Sequence, residues 1–317
     1  MSNADVRATS LSVVVPVYGC ADCLTELCKQ LNAVLPSVAE RYEIVLVDDR
    51  SPDDAWATIK ALQTTHPAVK AIRLSRNFGQ HIAITAGLAE ARGDYAVVMD
   101  CDLQDPPELI PSLFEKLREG CDLVLARRVE RRHSNFRIIA AGAYFKVLEK
   151  LVGERVDGRF GSFSLLSRKV IDSFLLFEEK ERHYLFILRW LGFHSGHIDY
   201  AHQSRYCGRS SYGLVKLIQH ALEGLLFQAT ILLRWIVIAG FFFALTGLGV
   251  ASYLIWRATF YAALPGWTSL VVVTLVCTGA LMISLGVIGL YVGKIFDQSK
   301  QRPLYVKDEL LERRLPW

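Results

Sequence analysis

Two hydrophobic patterns alternate along the chain up to about residue 130. Short runs rich in Val, Ile and Leu are separated by longer segments whose apolar residues recur at helical spacing. Continuous apolar runs are typical of strands buried on both faces, as in a parallel sheet covered by helices. The pattern therefore predicts an α/β domain. Its strands are expected at 11–17, 42–48, 69–75, 95–100 and 121–127, and its helices near 22–39, 53–65, 80–92 and 107–119.

Polar residues follow each of these predicted strands. In open α/β sheets, ligands bind beyond the carboxyl ends of the strands. The pattern thus predicts one cleft that collects all of these ends. They read Pro-Val-Tyr at 16–18, Asp-Asp at 48–49, Ser-Arg-Asn at 75–77, Asp-Cys-Asp at 100–102 and Arg-Arg at 127–128.

The segment "MDCDLQDPPE" at 99–108 carries the most specific chemistry in this half of the chain. If strand geometry continues past Met99, then Asp100, Asp102 and Gln104 point to one face and form a cluster of hard oxygen atoms. Such a cluster suits a divalent cation. In the alternative interpretation, the two aspartates solvate a strand end and Asp105 caps the next helix, whose first turn contains proline.

Two long uncharged runs occupy the last third of the chain. One extends from Trp235 to Trp256, and the other follows Arg257 and continues to Gly293, with a Pro-Gly interruption at 265–266. Each is long enough to cross a bilayer, so we expect transmembrane helices at about 231–256 and 267–293. Lys and Arg residues flank the pair on both outer sides, which predicts that both flanks are cytoplasmic. Residues 213–229 show amphipathic spacing, typical of an interfacial helix or of a helix packed on the soluble domain.

Composition agrees with a soluble domain joined to a membrane segment, because the 317 residues are 52% hydrophobic and 21% charged. A net charge of +4 without a basic tract gives no reason to expect nucleic acid binding.

The N-terminal ten residues lack the apolar core of a signal peptide, so the first domain is expected in the cytoplasm. The seven cysteines are scattered, and Cys20-x-x-Cys23 has no second pair, so small buried side chains are expected. The predicted organisation is a cytoplasmic α/β domain at 1–212, an interfacial helix at 213–229, two membrane helices within 230–294 and a cytoplasmic tail at 295–317.

Six motifs in this order resemble glycosyltransferase family 2 of the GT-A fold, and within it the polyprenyl-phosphate glycosyltransferases. The likeness is greatest to bactoprenol-phosphate glycosyltransferases and to the aminoarabinose transferase of lipid A modification, and more distant to dolichyl-phosphate mannose synthase. The motifs are "VVVPVY" (13–18), "VDDRSPDD" (47–54), "LSRNFGQHIAITAGL" (74–88), "MDCDLQDPPELI" (99–110), "RKVID" (168–172) and "RYCGRSSY" (205–212).

The resemblance implies a Rossmann-like, mostly parallel sheet followed by two transmembrane helices. It also implies an inverting enzyme that moves one sugar from a nucleotide sugar, with a UDP-sugar favoured, to a polyprenyl (undecaprenyl-type) phosphate at the cytoplasmic leaflet. The product would be a lipid-linked sugar donor for cell-envelope glycans or lipid modification. The expected location is the bacterial inner membrane, with several membrane passes. A homo-oligomer is left open.

The same resemblance assigns roles to individual residues. Asp100, Asp102 and Arg128 are the implied catalytic residues, and Asp102 with Gln104 would hold Mg²⁺ or Mn²⁺. For Arg128 and its neighbours the alternatives are a solvated basic surface or contact with anionic lipid headgroups. The implied donor-binding residues are Pro16, Tyr18, Asp48, Asp49, Asn77, Asp100 and Gln104, and the implied acceptor-phosphate residues are Arg128, Arg131, Arg137 and Arg205.

Three positions depart from the family pattern. Gly19-Cys20 replaces Asn-Glu, Ser162 replaces an aspartate often proposed as base, and Ser211 replaces a lysine. A phosphate acceptor is largely a dianion at neutral pH, so its attack needs no carboxylate base.

Two rival functions remain. A processive polysaccharide synthase is disfavoured because Phe186 stands where its Gln-x-x-Arg-Trp motif needs glutamine. A catalytically weakened membrane scaffold would fit the three departures.

Overall fold

The computed structural model describes residues 8–129, 159–180, 182–201 and 267–312, together with isolated positions between 238 and 260. The chain divides into two compact units. The first comprises Met1–Ala141, Asp157–Ser211 and Pro303–Trp317, and the second comprises Gly142–Val156 and Tyr212–Arg302.

The described strands of the first unit form one eight-stranded sheet in the order β7-β5-β6-β4-β1-β2-β3-β8. The pairs β1–β2, β1–β4, β2–β3 and β5–β7 are parallel, whereas β6 runs antiparallel to β4 and β5, and β8 runs antiparallel to β3. This confirms an α/β fold with a mostly parallel sheet. The strands are β1 (Ala8–Val17), β2 (Ala39–Asp48), β3 (Val69–Leu74), β4 (Tyr95–Val98), β5 (Leu123–Val129), β6 (Phe160–Ser167), β7 (Ser195–Ala201) and β8 (Lys307–Leu311).

Helices cover both faces of this sheet, and each face has its own hydrophobic cluster. Val13 and Val15 belong to the cluster under α1, α2 and α4, whereas Val14 belongs to the cluster under α3, α5 and α6. Side chains alternate between faces along a strand, so a strand covered on both sides is apolar at most positions, and a buried polar side chain such as Ser12 is hydrogen-bonded. The helices of this unit are α1 (Ala21–Val34), α2 (Ala55–Thr65), α3 (Gln80–Glu90), α4 (Ile110–Arg118), α5 (Arg168–Leu175) and α6 (Tyr184–Trp190), with 3₁₀ turns at Leu35–Ser37 and Pro107–Leu109.

One geometric prediction is wrong. Strand β4 ends at Val98, and its pairing with β1 stops at the Val14–Val98 pair. Residues 101–105 form turns and bends, and Leu103 has a φ of 59°. A left-handed φ interrupts an extended strand, so a turn, rather than strand alternation, sets the directions of Asp100, Asp102 and Gln104.

The end of the chain belongs to the eight-stranded sheet, which the prediction of a cytoplasmic tail over 295–317 did not include. Strand β8 pairs with β3, and ion pairs join the two segments on their flank. Lys70, almost fully buried on β3, lies 2.9 Å from Glu90 and 3.7 Å from Glu312, and Lys307 lies 2.7 Å from Glu90. Charge pairing of a buried lysine therefore adds to the backbone hydrogen bonds that hold β8 in place.

The second unit contains a long apolar helix, α7 (Trp267–Ser299). Within the described residues, the segment Cys277–Ser299 is long and apolar enough to cross a membrane, judged by length and composition. The helix predicted at 267–293 lies inside α7. The helices predicted at 213–229 and 231–256 fall outside the described residues, apart from isolated positions, so a pair of transmembrane helices is not confirmed.

The position of β8 yields a prediction about membrane topology. The chain leaves the sheet after β7 and returns to the same sheet at β8, so any membrane crossings in between must be even in number. Epitope tags before Ala8 and after Trp317 should both be protected from protease in intact spheroplasts, as expected for the cytoplasmic side. A tag in the turn that the sequence predicts at 257–266 should be cleaved. Cleavage of the tag after Trp317 would contradict this topology.

Candidate functional site

The carboxyl ends of the parallel strands meet at one edge of the sheet, and the predicted donor-binding residues are found there. Pro16 lies near the end of β1, beyond the last residue paired with β4, where its missing N–H costs little. Tyr18 follows the strand and is 51% exposed. Asn77, after β3, is also exposed. This edge therefore presents an aromatic ring and an amide to solvent.

Asp48 and Asp49, in contrast, are buried and engaged by the protein itself. The two carboxylate oxygens of Asp49 accept the backbone N–H groups of Phe78 and Gly79 at 2.7 and 2.8 Å. Asp48 accepts the N–H of Ser51 at 2.8 Å, and Arg73 Nε lies 3.2 Å from its other oxygen. Burial raises the pKa of both carboxyls. In this structure the two carboxylates hold the loops after β2 and β3 in place through these contacts.

Asp100 lies in the turn after β4 and is held from two sides. Its Oδ1 accepts hydrogen bonds from Gln80 Nε2, at the start of α3, and from Ser162 Oγ on β6, each at 2.7 Å. Burial raises the pKa of Asp100 to about 6, and the nearby negative charge of Asp105 adds to the effect. Ser162 thus acts as a neutral donor to Asp100, at a position where a second carboxylate would repel it.

Asp102 and Gln104 lie in the same turn. Asp102 Oδ1 accepts the backbone N–H of Gln104 at 3.2 Å, and both side chains are partly exposed. Among the described residues, no group of three or more His, Cys, Asp or Glu side chains is arranged to hold a metal ion. Mg²⁺ commonly takes only one or two protein carboxylates and completes its shell with phosphate oxygens and water. The hard oxygen donors of Asp102 and Gln104 fit such an incomplete protein site.

Arg128, on β5, reaches the same turn from the other side. Its Nε donates to the Tyr200 hydroxyl at 3.0 Å, and its Nη2 lies 3.4 Å from Asp105 Oδ1 and 4.0 Å from Asp100 Oδ2. Asp105 is fully buried and also accepts a hydrogen bond from Tyr200. The alternative in which Asp105 caps the next helix is therefore wrong, since Pro106 occupies the N-cap and makes no side-chain bond.

The described acidic side chains outnumber the basic one in this turn. Asp100, Asp102 and Asp105 face the single guanidinium of Arg128, which leaves a formal charge of −2 when all are ionised. A diphosphate would be repelled by that charge unless a cation offset it. The charge balance is thus a second feature of the structure that suits a divalent cation.

Several predicted residues lie outside the part of the chain that the structure describes, namely Arg131, Arg137, Arg205 and Ser211.

Sequence reasoning also missed contributors to the site. Gln80 lies at the start of α3, inside the motif at 74–88 but without an assigned role, and Tyr200 lies on the alternating strand β7 outside the six motifs. Cys20 and Cys23 are buried as expected, and Cys20 Sγ lies 3.4 Å from the carbonyl oxygen of Cys101, which ties the end of β1 to the turn after β4.

Comparison with known proteins agrees with this geometry. The model of Glycosyl transferase family 2 matches residues 12–175. The uncharacterized glycosyltransferase YkcC of Bacillus subtilis (strain 168) is 34% identical over 302 residues, which cover 95% of this chain and 94% of that protein. The bactoprenol glucosyl transferase of Shigella phage SfV is 34% identical over 298 residues, 93% of this chain and 97% of that protein.

A solved structure described as a mycobacterial protein is similar to this chain with a TM-score of 0.51 at 19% identity, over 70% of this chain and 75% of that one. At that identity the likeness supports a shared fold and nothing more. The family model spans more than half of the chain, and the two relatives span nearly all of it. The chain therefore belongs to glycosyl transferase family 2, and the protein is a glycosyltransferase.

Proposed function

We propose that this glycosyltransferase moves a single sugar, with inversion, from a UDP-sugar to a polyprenyl phosphate at the cytoplasmic face of the bacterial inner membrane. The observation that carries this proposal is the turn after β4, where Asp100 lies 4.0 Å from the guanidinium of Arg128 and Asp102 follows two residues later. The bactoprenol glucosyl transferase relatives support a lipid-carrier acceptor, and the apolar segment of α7 supports attachment to a membrane.

The donor end of the reaction uses the edge formed by β1, β2 and β4. The exposed ring of Tyr18 offers a stacking surface for the base, and the loops shaped by Asp48 and Asp49 surround it. Asp102 and Gln104 would hold Mg²⁺ or Mn²⁺ beside the pyrophosphate. When bound, the cation acts as a Lewis acid that offsets the negative charge of the departing nucleoside diphosphate.

The acceptor end uses Arg128. Its Nε–Nη2 edge is engaged by Tyr200 and Asp105, so its Nη1–Nη2 end is the one left for a phosphate. Charge-assisted bonds from a guanidinium hold phosphate oxygens strongly and in a set direction. A phosphate that is already a dianion attacks the anomeric carbon directly. The neutral Ser162 beside Asp100 is therefore compatible with catalysis.

Both rival functions have less support from the described residues. A processive synthase needs a glutamine where Phe186 stands, on α6. A scaffold without catalysis would have no need for a carboxylate such as Asp100, whose pKa is raised by burial in a cleft. Sugar transfer to a lipid phosphate accounts both for the carboxylates of this turn and for the arginine beside them.

Replacing Asp102 by Asn tests the metal assignment. The variant should fold and insert normally but transfer sugar about a hundredfold more slowly or worse, because a cation that supplies several kcal/mol is lost. The assay is transfer of radiolabelled sugar from a panel of nucleotide sugars to undecaprenyl phosphate, with and without chelator. The control is Asp172→Asn, an exposed aspartate paired with Arg168, which should stay active. Full activity of Asp102→Asn in chelator would contradict the assignment.

Replacing Arg128 by Ala tests the acceptor assignment. The apparent KM for polyprenyl phosphate should rise by about tenfold or more, while the KM for the sugar nucleotide changes little. Arg127→Ala is the matched control. That arginine is next in sequence, and its Nε lies 2.5 Å from Asp199 in a partly exposed ion pair, so its loss should change neither KM. Equal effects of Arg128→Ala on the two substrates would assign Arg128 to the donor site or to the fold.

The raised pKa of Asp100 leads to a prediction about stability. Because its folded pKa of about 6 exceeds the ordinary 3.8, ionised Asp100 destabilises the fold above pH 6, and this cost shrinks as the pH falls from 6 to 4. In chelator at pH 7.5, Asp100→Asn should therefore raise Tm by about 2–4 °C, and by less at pH 5.0.

Mn²⁺ should raise the Tm of the wild type at pH 7.5 and raise that of Asp100→Asn less, because the variant lacks one of the negative charges that the cation offsets. Thermal unfolding in detergent measures both effects. A variant less stable than the wild type at pH 7.5 would instead show that the fold requires the ionised carboxylate.

A further inference from the structure

Arg128 is held in place by Tyr200, which lies outside the six sequence motifs, and by Asp105, which lies within one but has no assigned role at the site. We propose that Tyr200 and Asp105 are positioning residues that fix the Arg128 guanidinium for the acceptor phosphate and keep it from pairing with Asp100. This inference rests on the proposed function, in which Arg128 receives that phosphate.

Strand pairing brings the first partner into place. β5 and β7 are parallel neighbours, and Arg128 is directly opposite Tyr200 in their register. Residues opposite each other on neighbouring strands project to the same face. The preceding pair, Arg127 and Asp199, forms its own ion pair on the alternate face. The register therefore assigns each arginine a different partner.

The hydrogen bonds of this cluster have one consistent direction. Burial raises the pKa of the Tyr200 hydroxyl, and the charge of Asp105 raises it further, so the hydroxyl keeps its proton. It donates that proton to Asp105 Oδ1 and accepts the Nε–H of Arg128. The chain of donors thus runs from Arg128 through Tyr200 to Asp105. Its geometry fixes the plane of the guanidinium.

Asp105 determines which carboxylate attracts Arg128. The Nη2 atom lies 3.4 Å from Asp105 but 4.0 Å from Asp100. Without the charge of Asp105, the guanidinium would be drawn to Asp100, its other nearby carboxylate. Such a pair would place the acceptor arginine on the donor side of the cleft and remove part of the charge that attracts the cation.

The space beneath the guanidinium is also fitted to it. A Cβ added to Gly161, on β6, would lie 2.9 Å from Arg128 Nη2 and 3.0 Å from Cζ. A larger residue would therefore push the guanidinium away. Tyr200 itself is kept in place by edge-to-face packing on Phe163, with ring centroids 5.9 Å apart. The ring packing survives when the hydroxyl is removed, which allows a clean test.

Tyr200→Phe is that test. The KM for undecaprenyl phosphate should rise about fivefold to tenfold, as expected for the loss of one hydrogen bond to a charged group, with the KM for the sugar nucleotide unchanged. The matched control is Tyr42→Phe. It removes a hydroxyl that bonds Asn32 at 3.1 Å near the opposite end of the sheet, and both KM values should stay at the wild-type level.

A double-mutant cycle separates positioning from general stability. Once Arg128 is replaced by Ala, Tyr200→Phe should cause no further rise in the acceptor KM, because the residue through which it acts is gone. Additive effects, or equal effects on both substrates, would overturn the positioning role while leaving sugar transfer intact. A wild type that transfers no sugar to any polyprenyl phosphate would instead overturn the proposed function, and this role with it.

Discussion

Burial of β1, β2 and β4 on both faces is the constraint from which the site follows. Strands covered on both sides are lined mainly by apolar side chains, and buried polar exceptions such as Ser12 and Glu43 bond to each other. The polar groups available to a ligand therefore lie where the strands end. The three strands are parallel, and their carboxyl ends lie at one edge. The aspartates of two loops and the exposed ring of Tyr18 therefore come from distant parts of the sequence to one place.

Electrostatics within this edge divides the carboxylates into two kinds. Asp48 and Asp49 are satisfied by backbone N–H groups or by Arg73, and they stabilise loops. Asp100 and Asp102 lie after β4 with partial access to solvent, and burial raises the pKa of Asp100. The two kinds of carboxylate therefore differ in exposure as well as in their hydrogen-bond partners.

The C-terminal strand joins the membrane-associated part of the chain to the catalytic sheet. β8 follows α7 in sequence and completes the sheet next to β3, where Asp308 lies 2.8 Å from Arg50 in the loop after β2. Exposed ion pairs of this kind contribute little alone, but the buried Lys70 and the backbone pairing anchor the strand firmly. The loop after β2 is therefore tied to the C-terminal strand.

The sequence by itself determined the strand–helix alternation, the strand ends that carry chemistry and the apolar helix near the C-terminus, because each is a local pattern of hydrophobicity and residue type. Strand ends were within a few residues for β1 to β5. The antiparallel β6 and β8 and the alternating β7 were not found, since their patterns are weak and their pairing is long-range.

Only the tertiary structure decided how the charges of the site are arranged. The sequence leaves open that Asp105 caps the next helix, whereas in the structure it is a buried partner of Tyr200 and Arg128 because β7 pairs in register with β5. The chain turns at Leu103 with a left-handed φ that hydrophobic periodicity does not encode. Contacts such as Ser162 with Asp100 join residues 62 positions apart, and such contacts exist only after the sheet has formed.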